Sequence, residues 1–120
     1  MSAKSADELL AEARARIREV SAADVVNALN GGSAPLLLDV REPRETNLGC
    51  IAGAQVIPLG DLEARVGAMI SRDANVVIYC ARGNRSALAA DAMQRMGYTN
   101  VASMAGGWLA WMGLDGPVEG

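Results

Sequence analysis

The period of the apolar positions changes along the chain, and each change marks an element. Ser5-Ala6-Asp7-Glu8 has the form of a capping box, with Ser at the cap and Glu three residues on. Leu9, Ala13, Ile17 and Val20 then recur at helical spacing among Glu12, Arg14, Arg16 and Arg18, which predicts an amphipathic helix over 6–19. Its expected role is packing on the domain or on a second subunit. Acidic residues among its polar positions argue against a membrane surface. Ser21 caps a second helix over 22–29, with Asp24 in the capping-box position and Gly31-Gly32 ending it. Pro35 to Val40 is a short apolar run that reads as a buried strand, with Asp39 near its C-terminal end. Arg41 to Glu45 reads as a charged turn, Gly49 to Ala54 as a tight loop and Gln55 to Pro58 as a short strand. Asp61 is placed to cap a helix over 62–70 that would bury Leu62, Val66, Met69 and Ile70 on one face. Asn75 to Tyr79 is a β-branched strand, Ser86 to Met96 an alanine-rich helix stopped by Gly97, and Asn100 to Met104 a last strand. A turn at Gly106-Gly107 leads into a short helix over 108–112. The Gly/Pro-rich tail carries no pattern and is expected to be poorly ordered.

Strands that alternate with helices predict an α/β domain with a central, mainly parallel sheet and helices on both faces, preceded by an N-terminal helix. The expected division is a helical extension over 1–20 and one domain over 21–120. No repeat or linker interrupts it. In such sheets, sites form at the carboxyl ends of the strands. Asp39 and Cys80 both fall at such ends and are expected to face one crevice.

Composition narrows the chemistry. The chain has 120 residues, 51% of them apolar, which suits a single core rather than disorder. No apolar run is long enough to span a membrane, and the N-terminus lacks the apolar stretch of a signal peptide, so the expectation is a cytoplasmic protein with no membrane partner. A net charge of −3 argues against nucleic acid as a partner and makes the arginines near Cys80 a local exception. There is no histidine, which excludes a Cys–His dyad, a Ser–His–Asp triad and a conventional His-containing zinc site. No cofactor and no metal are called for. The two cysteines, Cys50 and Cys80, are expected to be free thiols rather than a disulfide.

The chemistry gathers at Val76 to Ser86. An apolar strand ends at Cys80, a polar loop of Ala81, Arg82, Gly83, Asn84 and Arg85 follows, and a helix begins. A thiol delivered to a helix N-terminus is favoured as the thiolate by backbone N–H groups and nearby cations. The plainer reading of Cys80 is a small buried hydrophobe closing a strand. Gly83 allows the tight turn. The Ser86 hydroxyl either caps the helix or bonds to the sulfur. Arg82 and Arg85 can attract a dianion, or Arg82 can be a solvated charge and Arg85 a partner of Asp39 or Glu42. For Asp39 an ion pair with an arginine is the favoured reading, and Arg41 either lines the crevice or pairs. Trp108, Trp111, Met93 and Met96 read as packing residues.

Four stretches together resemble the rhodanese-like, or sulfurtransferase, family: Asp39-Val40-Arg41-Glu42, Gly49-Cys50-Ile51-Ala52-Gly53-Ala54, Cys80-Ala81-Arg82-Gly83-Asn84-Arg85-Ser86 and Gly106-Gly107-Trp108. The resemblance runs over 20–113 and is to the single-domain members. It implies the rhodanese α/β fold and Cys80 as a nucleophile that carries a persulfide. It also implies an anion-binding cradle over Ala81 to Arg85; the chemistry of the residues themselves adds Ser86 to that cradle and sets Asp39 and Arg41 behind it. The implied activity moves a sulfane sulfur from thiosulfate or another persulfide donor to cyanide or a thiol, and the acceptor can be a protein. Cys50 stands where the family usually has His. It reads as a tolerated change at a turn, or as a second thiol that receives sulfur from Cys80.

Three other functions compete. A persulfide carrier for a protein partner shares the same intermediate. A non-catalytic binding module of this family often lacks the cysteine, which is present here. A Cys-based phosphatase or arsenate reductase has five residues between its Cys and Arg, whereas Cys80 and Arg85 are separated by four.

Overall fold

The structure is a computed structural model, and it describes residues 3–120. In chain order, helix α1 (Ala6–Arg16) leads into strand β1 (Arg18–Ser21) and helix α2 (Ala22–Asn30). Strand β2 (Leu36–Asp39), the single turn α3 (Pro43–Thr46) and two short strands, β3 (Cys50–Ile51) and β4 (Gln55–Val56), follow. Helix α4 (Leu62–Met69), strand β5 (Val76–Tyr79), helix α5 (Asn84–Arg95), strand β6 (Val101–Ala105), helix α6 (Gly107–Gly113) and strand β7 (Val118–Glu119) complete the chain. The main sheet has the order β1-β6-β5-β2-β4, and every pairing in it is parallel.

The strands alternate sides with period two, and that divides the core. Leu38, Val40, Ile78 and Cys80 pack with Leu62, Val66, Ala89, Ala90 and Met93 of α4 and α5. Leu37, Val77, Tyr79 and Met104 pack on the other side with Val25 of α2 and Trp111 of α6. Both helical layers cover one sheet, which buries its central strands β2, β5 and β6 on both faces and explains their continuous apolar runs, while the edge strand β1 stays largely exposed.

Several elements differ from expectation. The first helix ends at Arg16, not at residue 19, and Arg18 to Ser21 pair with β6 as an edge strand. Ile17 and Val20 were expected on one helix face; instead Ile17 packs with the α4/α5 cluster and Val20 with the α2 and α6 cluster. A strand sends residues of opposite parity to opposite faces, which a helix reading of the same spacing cannot show. The charged turn at 41–45 contains the helical turn α3, closed by reciprocal Glu42 and Glu45 contacts with the backbone. Asp61 makes no side-chain cap for α4, and Met69 is exposed rather than buried. The Gly/Pro-rich tail is ordered: β7 runs antiparallel to β3, Cys50 opposite Glu119.

Helix α1 lies along α5. The Arg16 guanidinium donates twice to Asp91, at 2.9 and 2.7 Å, and Gln94 Nε2 donates to Arg16 O at 3.0 Å. Arg14 reaches further, donating to Asn84 Oδ1 at 2.9 Å at the start of α5.

Candidate active site

Strand β5 ends at Tyr79, and the chain turns at once. Cys80 is 1% exposed, at the foot of a loop that Gly83 closes with φ +105°. A side chain at that φ would be strained, so glycine is required for the turn. Helix α5 starts at Asn84, two residues earlier than expected, and its cap is Gly83, which offers no side chain. The free N–H groups of the first turn therefore face the sulfur. Gly83 N lies 3.1 Å and Ser86 N 3.4 Å from Cys80 Sγ.

Ser86 is not the helix cap expected from sequence. It sits in the first turn of α5 with Oγ 3.5 Å from Cys80 Sγ and 2.8 Å from Ser103 Oγ. Burial pushes the Cys80 thiol up. The Ser86 hydroxyl and the backbone N–H groups of Ser86, Gly83 and Arg82 more than offset it, so the thiol lies below its ordinary value.

The two loop arginines differ. Arg85 is not paired with Asp39 or Glu42. Nη1 and Nη2 donate to the two oxygens of Glu45 on α3 at 2.7 and 2.8 Å. That fork holds the Glu45 carboxyl down to about 2. Arg82 is exposed and, among the described residues, has no ion-pair partner. Asn84 is exposed and tied to Arg14, and Ala81 is half-buried.

Asp39 and Arg41 form a buried pair, with Arg41 Nη2 2.8 Å from Asp39 Oδ2 and the side chains 0% and 4% exposed. Arg41 also donates to Gly49 O at 2.8 Å and lies under the Trp108 ring, 4.6 Å from its centroid. Asp39 lies between Leu38 and Val40, both in the α4/α5 cluster with Cys80. Its side chain therefore points to the opposite face of the sheet, and the shared crevice expected for Asp39 and Cys80 does not form. The pair reaches the loop through its neighbours: Arg41 also lies 5.7 Å from the centroid of the Tyr79 ring, just before Cys80, while beside Arg41 Trp108 N donates to Cys80 O at 2.7 Å and Leu109 N to Ala81 O at 3.2 Å. Gly107 permits this approach, since a Cβ there would stand 2.3 Å from Cys80 O.

Cys50 and Cys80 are both free. Cys50 is half-buried, and burial, then Glu119 and Asp39, push its thiol up. Two site residues were not legible in the sequence pattern. Glu45 lies in a stretch that reads as a solvated turn, and Ser103 in the middle of an apolar strand. A lone hydroxyl inside a buried strand was the one signal for Ser103.

A buried, acidified thiol held among backbone N–H donors on a strand-to-helix loop, at the carboxyl end of a doubly covered parallel sheet, defines the class of this α/β protein. A profile of the rhodanese-like domain family matches residues 21–114, and the chain belongs to that family and has its α/β fold. It is 33% identical over 95 residues to a sulfurtransferase of Allochromatium vinosum, a match that takes in 79% of this chain and 88% of that one. It is 32% identical over 93 residues to a Schizosaccharomyces pombe protein that bears the provisional name of mitochondrial thiosulfate sulfurtransferase. That match takes in 68% of this chain, and the chain spans 66% of the relative's length. Among solved structures, a Rhodopseudomonas palustris protein of unknown function, provisionally linked to tyrosine phosphatase activity, superposes with a TM-score of 0.89. That pair shares 33% identity, and the match takes in 99% of this chain and 97% of that one. Helix α1 lies outside the family-matched segment.

Proposed function

We propose that this protein is a sulfurtransferase that carries sulfane sulfur as a persulfide on Cys80. Family membership and the sulfurtransferase-named relatives support sulfur transfer in general. The observation that carries the finer reading is the cage of N–H groups drawn in around a single buried sulfur.

The Cys80 thiolate attacks the outer sulfur of thiosulfate. A sulfur–sulfur bond to Cys80 forms, the bond to the sulfonate sulfur breaks, and sulfite leaves with the electron pair. The Gly83 and Ser86 N–H groups and the Ser86 hydroxyl hold the anionic sulfur. Sulfite is already an anion and leaves without a proton, so a site without histidine suffices. Cyanide or a thiolate then attacks the outer sulfur of the persulfide and releases the Cys80 thiolate, in ping-pong order. Arg82, exposed and unpaired among the described residues, draws the dianionic donor to the mouth, and Ala81, Gly83 and Asn84 shape it. Arg85, anchored by Glu45, adds fixed positive charge. Asp39 and Arg41 support the loop from behind through Trp108. The N-terminal helix is an extension to this domain that ties down the far side of the loop at Asn84.

Intact-protein mass spectrometry after incubation with thiosulfate tests the reading. The expected result is a gain of one sulfur atom, mapped to Cys80, removed by cyanide and absent in Cys80→Ser. No gain in the wild type would overturn it. Phosphatase chemistry is the second reading, since a close structural neighbour is linked to it. Cys80 and Arg85 are separated by four residues, one fewer than in phosphatase loops, and in this the loop resembles the sulfurtransferase form. Fast, Cys80-dependent hydrolysis of an aryl phosphate would reverse this choice.

A further inference from the structure

Ser103 lies at the middle of β6, fully buried, opposite Ile78 of β5 and Glu19 of β1. On β6, Val101 packs with the α4/α5 cluster and Met104 with the α2 and α6 cluster. Ser103 shares Val101's parity and so points toward α5. The cluster on that face is otherwise apolar, and alanine would fill the place without the cost of burying a hydroxyl. The one hydrogen-bond partner of its Oγ among the described residues is Ser86 Oγ, at 2.8 Å. Ser86 Oγ in turn lies 3.5 Å from Cys80 Sγ. Three heavy atoms therefore stand in a row, Ser103 Oγ, Ser86 Oγ and Cys80 Sγ, joined by two links.

Counting protons along this row separates the two states of the sulfur. Each hydroxyl has one proton, and a thiol adds a third. With Cys80 as a thiol, three protons share two links, and one is left without an acceptor in a buried place. With Cys80 as a thiolate, two protons fill two links. The sulfur can then only accept, so Ser86 must donate to it, and Ser103 must donate to Ser86. The chain is complete only in the thiolate form, where its last bond is charge-assisted and polarises the one before it.

We propose that Ser103 is a positioning residue for the sulfur site: by donating to Ser86 Oγ it turns the Ser86 hydroxyl onto the Cys80 thiolate. This rests on Cys80 being the reacting thiolate. The charged groups near Cys80 are Arg82 and Arg85 on the loop, with Glu45 of α3 and Glu42 just before it acting on Arg85. Glu45 ionises at about 2, far from the range in which a thiol titrates. Asp39 and Arg41 lie on the other face of the sheet, and Asp91 of α5 is tied to Arg16. The chain segments β6 and α6 bring no charged side chain to the sulfur.

The test is the pH dependence of alkylation by iodoacetamide, read at the Cys80 peptide so that Cys50 does not interfere, alongside thiosulfate kinetics. In Ser103→Ala the midpoint rises by roughly 0.5–1 pH unit, which corresponds to a ~3–10-fold lower rate below the midpoint. The rate at high pH matches the wild type. Ser103→Thr, which keeps the hydroxyl, has the wild-type midpoint. A Ser103→Ala profile that superposes on the wild type would overturn the proposal. So would a loss of equal size at every pH, which is what a merely structural residue produces, or a Ser103→Thr midpoint that matches Ser103→Ala. Failure of the parent reading looks different: the wild-type Cys80 itself would alkylate with the midpoint of an ordinary thiol.

Discussion

Arg85 and Glu45 meet fork to fork, and both side chains are about one-third exposed or less. A guanidinium held in this way is a fixed charge at the edge of the loop, not a mobile one that closes on a ligand. Ionised Glu45 is favoured in the folded chain, because its carboxyl is held down from 4.5 to about 2. Its contribution to stability is complete above pH 4.5 and is lost as the pH falls toward 2. Glu45→Gln is therefore expected to be less stable than the wild type by about 1 kcal/mol at pH 7. Urea unfolding at a series of pH values checks this, and the gap should shrink below pH 4.5. A gap that stays constant down to about pH 3 would assign the loss to packing instead. The chemistry of the Cys80 loop was legible from sequence because strand, cysteine, glycine and helix are neighbours in the chain. The Glu45 partner was not, because it comes from a segment 40 residues away.

Helix α1 depends on α5 for its place. Ala13 is its one buried residue, and Leu9 stays half-exposed, so apolar burial holds it weakly. The polar ties carry more. The Asp91 side chain is 7% exposed and takes the full Arg16 fork, with Arg95 3.7 Å away. Asp91→Ala is expected to loosen the helix, since it removes the acceptor of both Arg16 hydrogen bonds. Trypsin cleavage after Arg14 or Arg16 should become several-fold faster than in the wild type. Cleavage at the wild-type rate would mean that β1, paired along its length with β6, is enough to hold the helix down. The capping box at Ser5 was legible because it is local, and both reciprocal contacts are present. The end of the helix was not. The spacing of Ile17 and Val20 fits a helix as well as a strand, and pairing with β6 decides between them.

The molecule closes on itself through its C-terminal residues. Trp111 is fully buried, and its Nε1 donates to Pro117 O at 3.1 Å. Ala52 N donates to the same oxygen at 3.1 Å, and Gly53 N to Glu119 Oε1 at 3.0 Å. Gly116 lies so close to the Trp111 ring that a Cβ there would come within 2.4 Å of it. Removing residues 117–120 takes the acceptor from a buried indole N–H and uncovers β3. The expected cost is about 2–3 kcal/mol. Alkylation of Cys50, half-buried opposite Glu119, should become several-fold faster while that of Cys80 keeps its pH profile. An unchanged Cys50 rate would mean that β7 does not cover the thiol.

Whatever depends on neighbours in the chain is legible in the amino-acid sequence by itself. The order of strands and helices, the parallel sheet, the thiol at a helix start and the four-residue gap to Arg85 all follow from short-range pattern and turn chemistry. Contacts between distant segments were decided by the fold alone. Period two along β2 sends Asp39 away from Cys80, although Asp39 pairs in register with Tyr79, the residue just before Cys80. Parity along β6 brings Ser103 to Ser86, 17 residues away, and pairing with β3 orders a tail that carries no pattern of its own. Periodicity says that a residue is buried; which face it takes and what it meets there are settled only when the strands are assembled in register.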